Sequence, residues 1–193
     1  MLILASASPR RRELMKNIAD DFEVVCLATD ESLPEGTDPR RGVTELALRK
    51  ARAVAKLRPA DTVIGADTVV VLGGEVFGKP KDREDALRML RALSGREHTV
   101  YTGVAIVWPQ GERAFAEETL VRFAELTPAG LEAYADTGEP ADKAGAYGIQ
   151  GPGARLVAGI TGDFYNVMGL PVCRLWRELS GLFPDWAGNA NNL

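Results

Sequence analysis

Three arginines follow a small, hydroxyl-rich turn near the start of the chain. The stretch reads Ser6-Ala7-Ser8-Pro9-Arg10-Arg11-Arg12 and comes directly after a short apolar run that predicts a buried strand. Ser8 is a favourable helix N-cap and Pro9 a favourable first helical residue, so a helix is predicted to begin here. Because cations in a first helical turn oppose the helix dipole, the cluster indicates that an anion such as phosphate binds there. The alternative is an ordinary capped helix whose arginines are solvated.

A carboxylate, Asp67, interrupts the apolar and β-branched run Thr62–Leu72, which predicts a strand. An unpaired carboxylate inside a strand is costly. Two interpretations are open: Asp67 is held by backbone N–H groups at a bulge or strand end, or it faces a site from a strand terminus as a metal ligand or general base. The adjacent Gly65-Ala66 favours the second interpretation, because small residues leave space for a ligand.

Two lysines lie where a cation is unexpected. Lys50 falls on the apolar side of a helix predicted over 41–57, with a snorkelling side chain as the alternative explanation. Lys79 follows a short predicted strand and precedes Pro80, which places it on a stiff turn. Residues 73–79 match the first seven positions of a phosphate-binding P-loop, but Pro80 replaces the hydroxyl residue that would bind Mg²⁺. A P-loop is therefore excluded, and a hairpin turn at the two leading glycines is predicted instead.

The glycine-rich segment 142–153 carries two further polar candidates, Lys143 and Gln150. Its glycines allow the backbone to approach a ligand closely, and the Gln150 amide offers a donor and an acceptor to the edge of a base. The alternative is an irregular loop in which the glycines only supply positive φ angles. Glu31 lies in an acidic loop, and its position in the sequence alone predicts a solvated side chain.

The single histidine, His98, limits the chemistry available to the chain. One histidine excludes a histidine metal cluster, and the sequence lacks the Gly-x-Ser-x-Gly motif that would supply a serine nucleophile. The prediction for His98 is a strand residue whose ring is satisfied by a local hydrogen bond.

Composition narrows the class of protein. The 193 residues are 46% hydrophobic and 26% charged, which is typical of a soluble globular protein, and the net charge of −4 argues against a nucleic-acid-coating surface. The two cysteines form no disulfide or zinc framework, and the sequence predicts neither a membrane span nor a signal peptide. We therefore expect a cytoplasmic protein that binds neither nucleic acid nor membrane.

Predicted strands and helices alternate along the chain. The predicted helices cover 9–17, 41–57, 82–93, 127–136 and 170–182, and the predicted strands cover 22–26, 62–72, 75–77, 97–108, 113–125 and 155–160. This alternation, with an antiparallel pair at its centre, predicts an α/β fold with a mixed sheet. One domain is predicted over 1–183 and a frayed tail over 184–193.

Several short segments occur together in a specific order. They are Ser6-Ala7-Ser8-Pro9-Arg10-Arg11, Ile64-Gly65-Ala66-Asp67-Thr68-Val69-Val70, Gly78-Lys79-Pro80, Ser94-Gly95 with His98 and Thr102-Gly103-Val104, Asp142-Lys143-Ala144-Gly145-Ala146-Tyr147-Gly148-Ile149-Gln150-Gly151, and Asn166-Val167-Met168-Gly169-Leu170-Pro171. This series resembles the Maf family of nucleoside triphosphate pyrophosphatases over residues 2–182. Arg10, Thr68 and Gln150 resemble the branch of the family that acts on dTTP and UTP.

The resemblance implies a fold and a reaction. The fold is an elongated mixed β-sheet with flanking helices and a central cleft, as in inosine triphosphate pyrophosphatases, usually in a homodimer. The reaction is hydrolysis of dTTP or UTP to the monophosphate and pyrophosphate, with Mg²⁺ or Mn²⁺ as the cofactor. The alternatives are a pyrophosphatase for 7-methyl-GTP or another non-canonical nucleotide, and a non-enzymatic nucleotide-binding regulator of cell division.

The resemblance also implies roles for individual residues. Asp67 matches the proposed proton acceptor of the family, although it could hold the metal instead, and Glu31 is a second candidate metal ligand. Arg10, Thr68 and Gln150 match positions that set substrate specificity. The positions that match the substrate-binding and phosphate-binding residues of the family are Ser8, Arg11, Lys50, Lys79 and Lys143.

Overall fold

The computed structural model describes residues 1–184, which form seven strands and six α-helices. The strands are β1 (Leu2–Ala5), β2 (Glu23–Val24), β3 (Thr62–Leu72), β4 (Glu75–Phe77), β5 (Glu97–Trp108), β6 (Gly111–Phe123) and β7 (Val157–Gly162). The helices are α1 (Pro9–Met15), α2 (Pro39–Ala55), α3 (Arg83–Leu93), α4 (Pro128–Ala135), α5 (Phe164–Met168) and α6 (Val172–Leu182). Three 3₁₀ turns, Glu139–Asp142, Ala144–Ala146 and Gly151–Leu156, lie between α4 and β7.

The strands form one mixed sheet in the order β2-β1-β3-β5-β6-β7, with β4 paired to β3 off this path. Strand β1 is parallel to β2 and β3, with Leu4 opposite Ile64, whereas β4 is antiparallel to β3 and β7 is antiparallel to β6. The predicted α/β fold with a mixed sheet and flanking helices is confirmed. The hairpin between β3 and β4 at Gly73-Gly74 also confirms that this segment is not a P-loop.

Some strands and helices begin and end where the sequence predicts, because a β-branched run or a capping residue marks the boundary. The β-branched run of β3 and the run of β5 begin and end as predicted. Helix α3 begins after the N-cap Asp82, whose side chain accepts from the backbone N–H of Asp85 at 2.8 Å. The sequence analysis did not predict the short helix α5, which follows Asp163.

The described chain divides into two compact units, each assembled from separate segments. The first contains Met1–Asp67, Thr102–Glu117 and the chain from Gly169 onward, and the second contains Thr68–Tyr101 and Glu118–Met168. The single domain predicted over 1–183 stays a prediction. Of the predicted tail, residues 185–193 lie outside the described part of the chain.

Each unit has its own hydrophobic core. In the first unit, the buried residues of the sheet pack against the apolar face of α2, as the periodicity of that helix predicts. In the second unit, the apolar face of α3 packs with residues of β3, β5 and β6 and with Tyr134 and Tyr147. Within residues 1–184, no helix is both long enough and apolar enough to span a membrane.

Candidate active site

The serine-rich turn before α1 folds around its own hydroxyl groups. Ser8 caps the helix, and its Oγ accepts from the backbone N–H of Arg11 at 3.4 Å. The Oγ of Ser6, which is buried, accepts from the backbone N–H of Ser8 at 3.2 Å and from Nη1 of Arg11 at 3.4 Å. The predicted cap at Ser8 with Pro9 in the first helical turn is confirmed.

Arg11 is fixed at the entrance of the helix by a distant backbone group. Its Nε donates to the carbonyl oxygen of Gly169 at 2.8 Å, across 158 residues of sequence. Burial lowers the pKa of the half-buried Arg11 guanidinium, the carboxylates of Asp67 and Glu31 raise it, and the charge of Arg10 lowers it. Arg11 therefore lies in the electrostatic field of both predicted carboxylates. The sequence places Gly169 in a recognisable segment but gives no sign that its carbonyl oxygen anchors an arginine.

Two carboxylates converge on the ammonium of Lys50. The Nζ atom lies 2.6 Å from Oδ1 of Asp67 and 2.8 Å from Oε1 of Glu31. The side chains of Lys50 and Asp67 are 16% and 13% exposed, whereas Glu31 is 62% exposed. The Asp67 pair is therefore largely shielded from water, so it interacts more strongly than the contact with the exposed Glu31.

Helix α2 brings Lys50 to Asp67 because β3 carries a glycine under the helix. A Cβ on Gly65 would overlap the carbonyl oxygen of Ala47 and lie 2.9 Å from the backbone nitrogen of Ala51. The interpretation that Gly65 leaves space for a ligand is therefore wrong. The backbone of α2 fills that space, and this close approach positions the lysine.

Asp67 does not lie at a strand end. It is inside β3, between the stretch that pairs with β1 up to Gly65 and the stretch that pairs with β4 from Val70. The prediction that Asp67 lies at a strand terminus is therefore wrong. The alternative, that backbone N–H groups alone hold Asp67, is also wrong, because the Lys50 ammonium balances the charge of its carboxylate. Thr68, half-buried, follows Asp67 in the same strand.

The carboxylates of Asp67 and Glu31 fit the donor chemistry of a divalent cation. Each contacts the Lys50 ammonium through one oxygen, and Mg²⁺ is commonly bound by one or two carboxylates together with substrate phosphates. Within the described residues, no group of three or more His, Cys, Asp and Glu side chains could hold a metal by itself. A metal bound by these two carboxylates would therefore need substrate oxygens or water to complete its coordination.

The second unit joins two of the predicted cationic segments. The backbone N–H of Gly145 donates to the carbonyl oxygen of Gly78 at 3.0 Å, so the glycine-rich loop is bonded to the residue before Lys79. Lys79 is exposed, whereas the Lys143 ammonium donates to the carbonyl oxygen of Glu139 at 2.7 Å and to Oδ1 of Asp142 at 2.8 Å. Gly145 has a φ of 68° and a Cβ there would lie 2.8 Å from Val70, so glycine is required at this turn.

Gln150 lies exposed in the turn that follows. On either side of it, the backbone N–H of Gly148 donates to Oη of Tyr134 at 3.0 Å, and that of Gly153 donates to Oε2 of Glu139 at 2.9 Å. The sequence analysis did not identify Tyr134 or Glu139. The only local signal was a carboxylate next to a turn, which in most proteins is solvated.

One ring nitrogen of His98 has a distant hydrogen-bond partner and not a local one, and the other, Nδ1, is buried without a partner among residues 1–184. Its Nε2 lies 2.8 Å from Oη of Tyr147, 49 residues away, and its ring packs edge-on against Phe123. Burial lowers the pKa of His98 to about 4. The expectation of a structural strand residue fits this environment, but the expectation of a local hydrogen bond is wrong.

The predicted site residues fall into two sets. The first unit contains Arg11, Lys50, Asp67 and Glu31, whose charged groups interact with one another. Arg10 and Ser8 lie in the same short segment as Arg11. The second unit contains Thr68, Lys79, Lys143 and Gln150. A backbone hydrogen bond from Gly145 to Gly78 joins the segments that carry Lys143 and Lys79.

The family model and two relatives of known name match almost the whole chain. The family model described as Maf-like protein matches residues 1–182. A dTTP/UTP pyrophosphatase of Symbiobacterium thermophilum is 51% identical over 190 residues, which is 98% of both chains. A dTTP/UTP pyrophosphatase of Moorella thermoacetica is 53% identical over 184 residues, 94% of both chains. Among solved structures, the Staphylococcus aureus Ham1 protein has a TM-score of 0.47 and 20% identity over 64% of this chain and 72% of that chain.

Proposed function

The chain belongs to the Maf family, and from that premise we propose that it hydrolyses dTTP and UTP to the nucleoside monophosphate and pyrophosphate. Relatives named for this activity share about half of its residues over nearly their full length. The structural observation that carries the proposal is the Lys50 ammonium between Asp67 and Glu31, in the field of Arg11. Such a group of carboxylates and cations suits a polyphosphate and its metal better than a neutral ligand.

The reaction forms one P–O bond and breaks another. The oxygen of a water molecule attacks a phosphorus atom, the anhydride bond between the α- and β-phosphates breaks, and pyrophosphate leaves. Lys50 holds Oδ1 of Asp67, so Oδ2 is the atom that accepts the proton of the water. Arg11, fixed by Gly169, and Arg10 supply positive charge to the phosphate oxygens as negative charge moves onto the leaving group.

The proposed cofactor is Mg²⁺ or Mn²⁺, held by Asp67 and Glu31 together with phosphate oxygens. When bound, the metal supplies charge that stabilises the phosphates and lowers the pKa of water. Lys50 contacts one oxygen of each carboxylate. Ser8, Lys79 and Lys143 carry hydrogen-bond donors that suit the remaining phosphate oxygens.

Substrate selection is assigned to Arg10, Thr68 and Gln150. The amide of Gln150 can donate to a carbonyl oxygen of uracil or thymine and accept from the ring N–H between the carbonyls. Its exposed position in a turn that is bonded on both sides supports this role.

The assembly and the compartment are further parts of the proposal. We infer a homodimer from the resemblance to the family, which mass measurement under native conditions tests. The proposed substrates are nucleotides of the cell interior, which supports the cytoplasm as the compartment, without nucleic acid or membrane as partners.

A substrate panel with identified products tests the proposed function. The purified chain is incubated with dTTP, UTP, 7-methyl-GTP and ITP, each with Mg²⁺, with Mn²⁺ or with a chelator. We expect equal amounts of monophosphate and pyrophosphate from dTTP and UTP, higher kcat/KM for these two than for the purine nucleotides, and no turnover with the chelator. A preference for 7-methyl-GTP or ITP would overturn the pyrimidine assignment, and binding without turnover of any nucleotide would favour a non-enzymatic regulator.

A further inference from the structure

The turn that carries Gln150 is closed at its base by backbone contact. A Cβ on Gly153 would overlap the carbonyl oxygen of Gly148 and lie 2.8 Å from Oη of Tyr134. Residues 148 and 153 therefore meet without room for a side chain, and Gln150 lies between them in the exposed part of the turn. A turn of this kind has a defined position only when both of its ends are held.

Two side chains outside the turn hold its two ends. Tyr134, which is 2% exposed, accepts from the backbone N–H of Gly148 at 3.0 Å, and Glu139 accepts from that of Gly153 at 2.9 Å. Burial raises the pKa of the Tyr134 hydroxyl, and the carboxylate of Glu139 is close enough to raise that pKa further. The phenol therefore stays protonated.

Glu139 also contacts the second predicted ligand of this segment. Its carbonyl oxygen accepts from the Lys143 ammonium at 2.7 Å, while its carboxylate holds the turn. The carboxylate of Glu139 thus holds the turn that carries the amide assigned to the base, and the backbone carbonyl oxygen of the same residue contacts a cation assigned to phosphate.

We propose that Glu139 and Tyr134 are positioning residues that fix Gln150 for recognition of a pyrimidine nucleotide. The inference rests on the proposed function. Selectivity for a base requires that an amide be held in place before the substrate arrives, because a mobile amide can turn to pair with several bases. The carboxylate of Glu139 and the hydroxyl of Tyr134 restrict the turn without touching the substrate.

Four variants separate positioning from folding. Glu139→Ala removes the carboxylate that accepts from Gly153, whereas Glu139→Gln keeps a carbonyl oxygen for Gly153. Tyr134→Phe keeps the buried ring and removes only the hydroxyl. Glu132→Ala is the matched control, because it removes an exposed carboxylate from α4. Each variant is measured for kcat and KM on dTTP and ITP, and for hydrogen exchange at the amides of residues 148 and 153.

The proposal predicts a change in selectivity and not only in activity. We expect Glu139→Ala to lower the ratio of kcat/KM for dTTP to that for ITP about 10-fold, mainly through a higher KM for dTTP, with faster exchange at both amides. Tyr134→Phe and Glu139→Gln should give smaller changes in the same direction, and Glu132→Ala should give none. A purely structural role would lower the active fraction and reduce kcat equally for both nucleotides.

The outcomes distinguish this inference from the proposed function. If the wild-type chain hydrolyses dTTP and the Glu139 and Tyr134 variants keep its KM and its dTTP-to-ITP ratio, the positioning role is overturned while the proposed function stands. If the wild-type chain does not hydrolyse dTTP or UTP, the proposed function fails, and the recognition role assigned to these residues fails with it. Unchanged amide exchange in folded Glu139→Ala would overturn the positioning role whatever the kinetics.

Discussion

Among single residues, Lys50 makes the contacts that bring the two candidate carboxylates together. Its ammonium is shared by a largely buried carboxylate, Asp67, and by an exposed one, Glu31. Taking the charges of Lys50 and Asp67 out of water is costly, so each depends on the other. Lys50 was expected from the sequence to lie on the apolar side of its helix, and its carboxylate partners explain why that is tolerated.

Lys50→Met is predicted to destabilise the fold through the loss of this partner. Removing one member of a buried pair leaves the other charge uncompensated, and the expected loss is about 3 kcal/mol in the free energy of unfolding at neutral pH. Urea denaturation of Lys50→Met, Asp67→Asn and the double variant measures the coupling. The double variant should lose less stability than the two single losses added together. Strict additivity would contradict the coupling.

His98 makes the stability of the fold depend on pH. Burial lowers its pKa from 6.5 to about 4, so the folded chain binds this proton less readily than the unfolded chain does. The neutral ring therefore contributes stability that is fully present above pH 6.5 and is lost as the pH falls toward 4.

The expected loss through His98 is about 2 kcal/mol between pH 7 and pH 5. His98→Gln, which keeps a hydrogen-bonding side chain but does not titrate, should lack this part of the pH dependence. Urea denaturation of both proteins at the two pH values measures the difference. Equal pH dependence in the two proteins would show that His98 does not titrate as its burial requires.

At the scale of elements, the packing of α2 on the sheet decides where Lys50 lies. The helix contacts β3 at Gly65 and β5 at Gly103, where a Cβ would overlap the backbone of Ala47 and of Val43. Two glycines on neighbouring strands thus allow the helix backbone to approach the sheet more closely than any other residue permits.

Gly65→Ala is predicted to disturb both the fold and the site. The added methyl meets backbone atoms, which cannot rotate away, so α2 must shift and the expected loss is about 2–4 kcal/mol. Activity should fall with it, because Lys50 moves with the helix. Gly181→Ala is the control, since a Cβ there meets nothing within 4 Å and alanine is the better helix former in α6. Thermal unfolding of both variants gives the comparison, and an unchanged midpoint for Gly65→Ala would contradict the close packing.

Elements with strong local signals could be predicted from the sequence. The β-branched run of β3 and the capping residues Ser8 and Asp82 act through neighbouring atoms, so their effects can be read locally. The five-residue helix α5 was missed because one turn leaves no periodic pattern to detect.

The candidate site was only partly predictable for a related reason. The sequence analysis identified Asp67, Lys50 and Glu31 as candidate site residues. It did not predict that Lys50 contacts Asp67, because that contact depends on how α2 packs against β3. The bonds from Arg11 to Gly169 and from Gly153 to Glu139 link positions 158 and 14 residues apart. No spacing rule connects such pairs, because the tertiary fold alone brings them together.

At the scale of the whole molecule, an acidic chain contains localised groups of cations. The net charge is −4, yet Arg10, Arg11 and Lys50 lie in one unit and Lys79 and Lys143 in segments bonded to each other in the other unit. This distribution suits a small anionic substrate.

Pyrophosphate release from dTTP by the wild-type chain and by Asp67→Asn, in the same buffer with Mg²⁺, tests whether Asp67 accepts the proton of the attacking water. The wild-type chain should release one pyrophosphate for each dTMP formed. The variant, shown to be folded by its thermal unfolding, should be slower by about 10²–10⁴-fold, because an amide cannot accept the proton. Full activity in folded Asp67→Asn, or no pyrophosphate from the wild-type chain, would contradict the account.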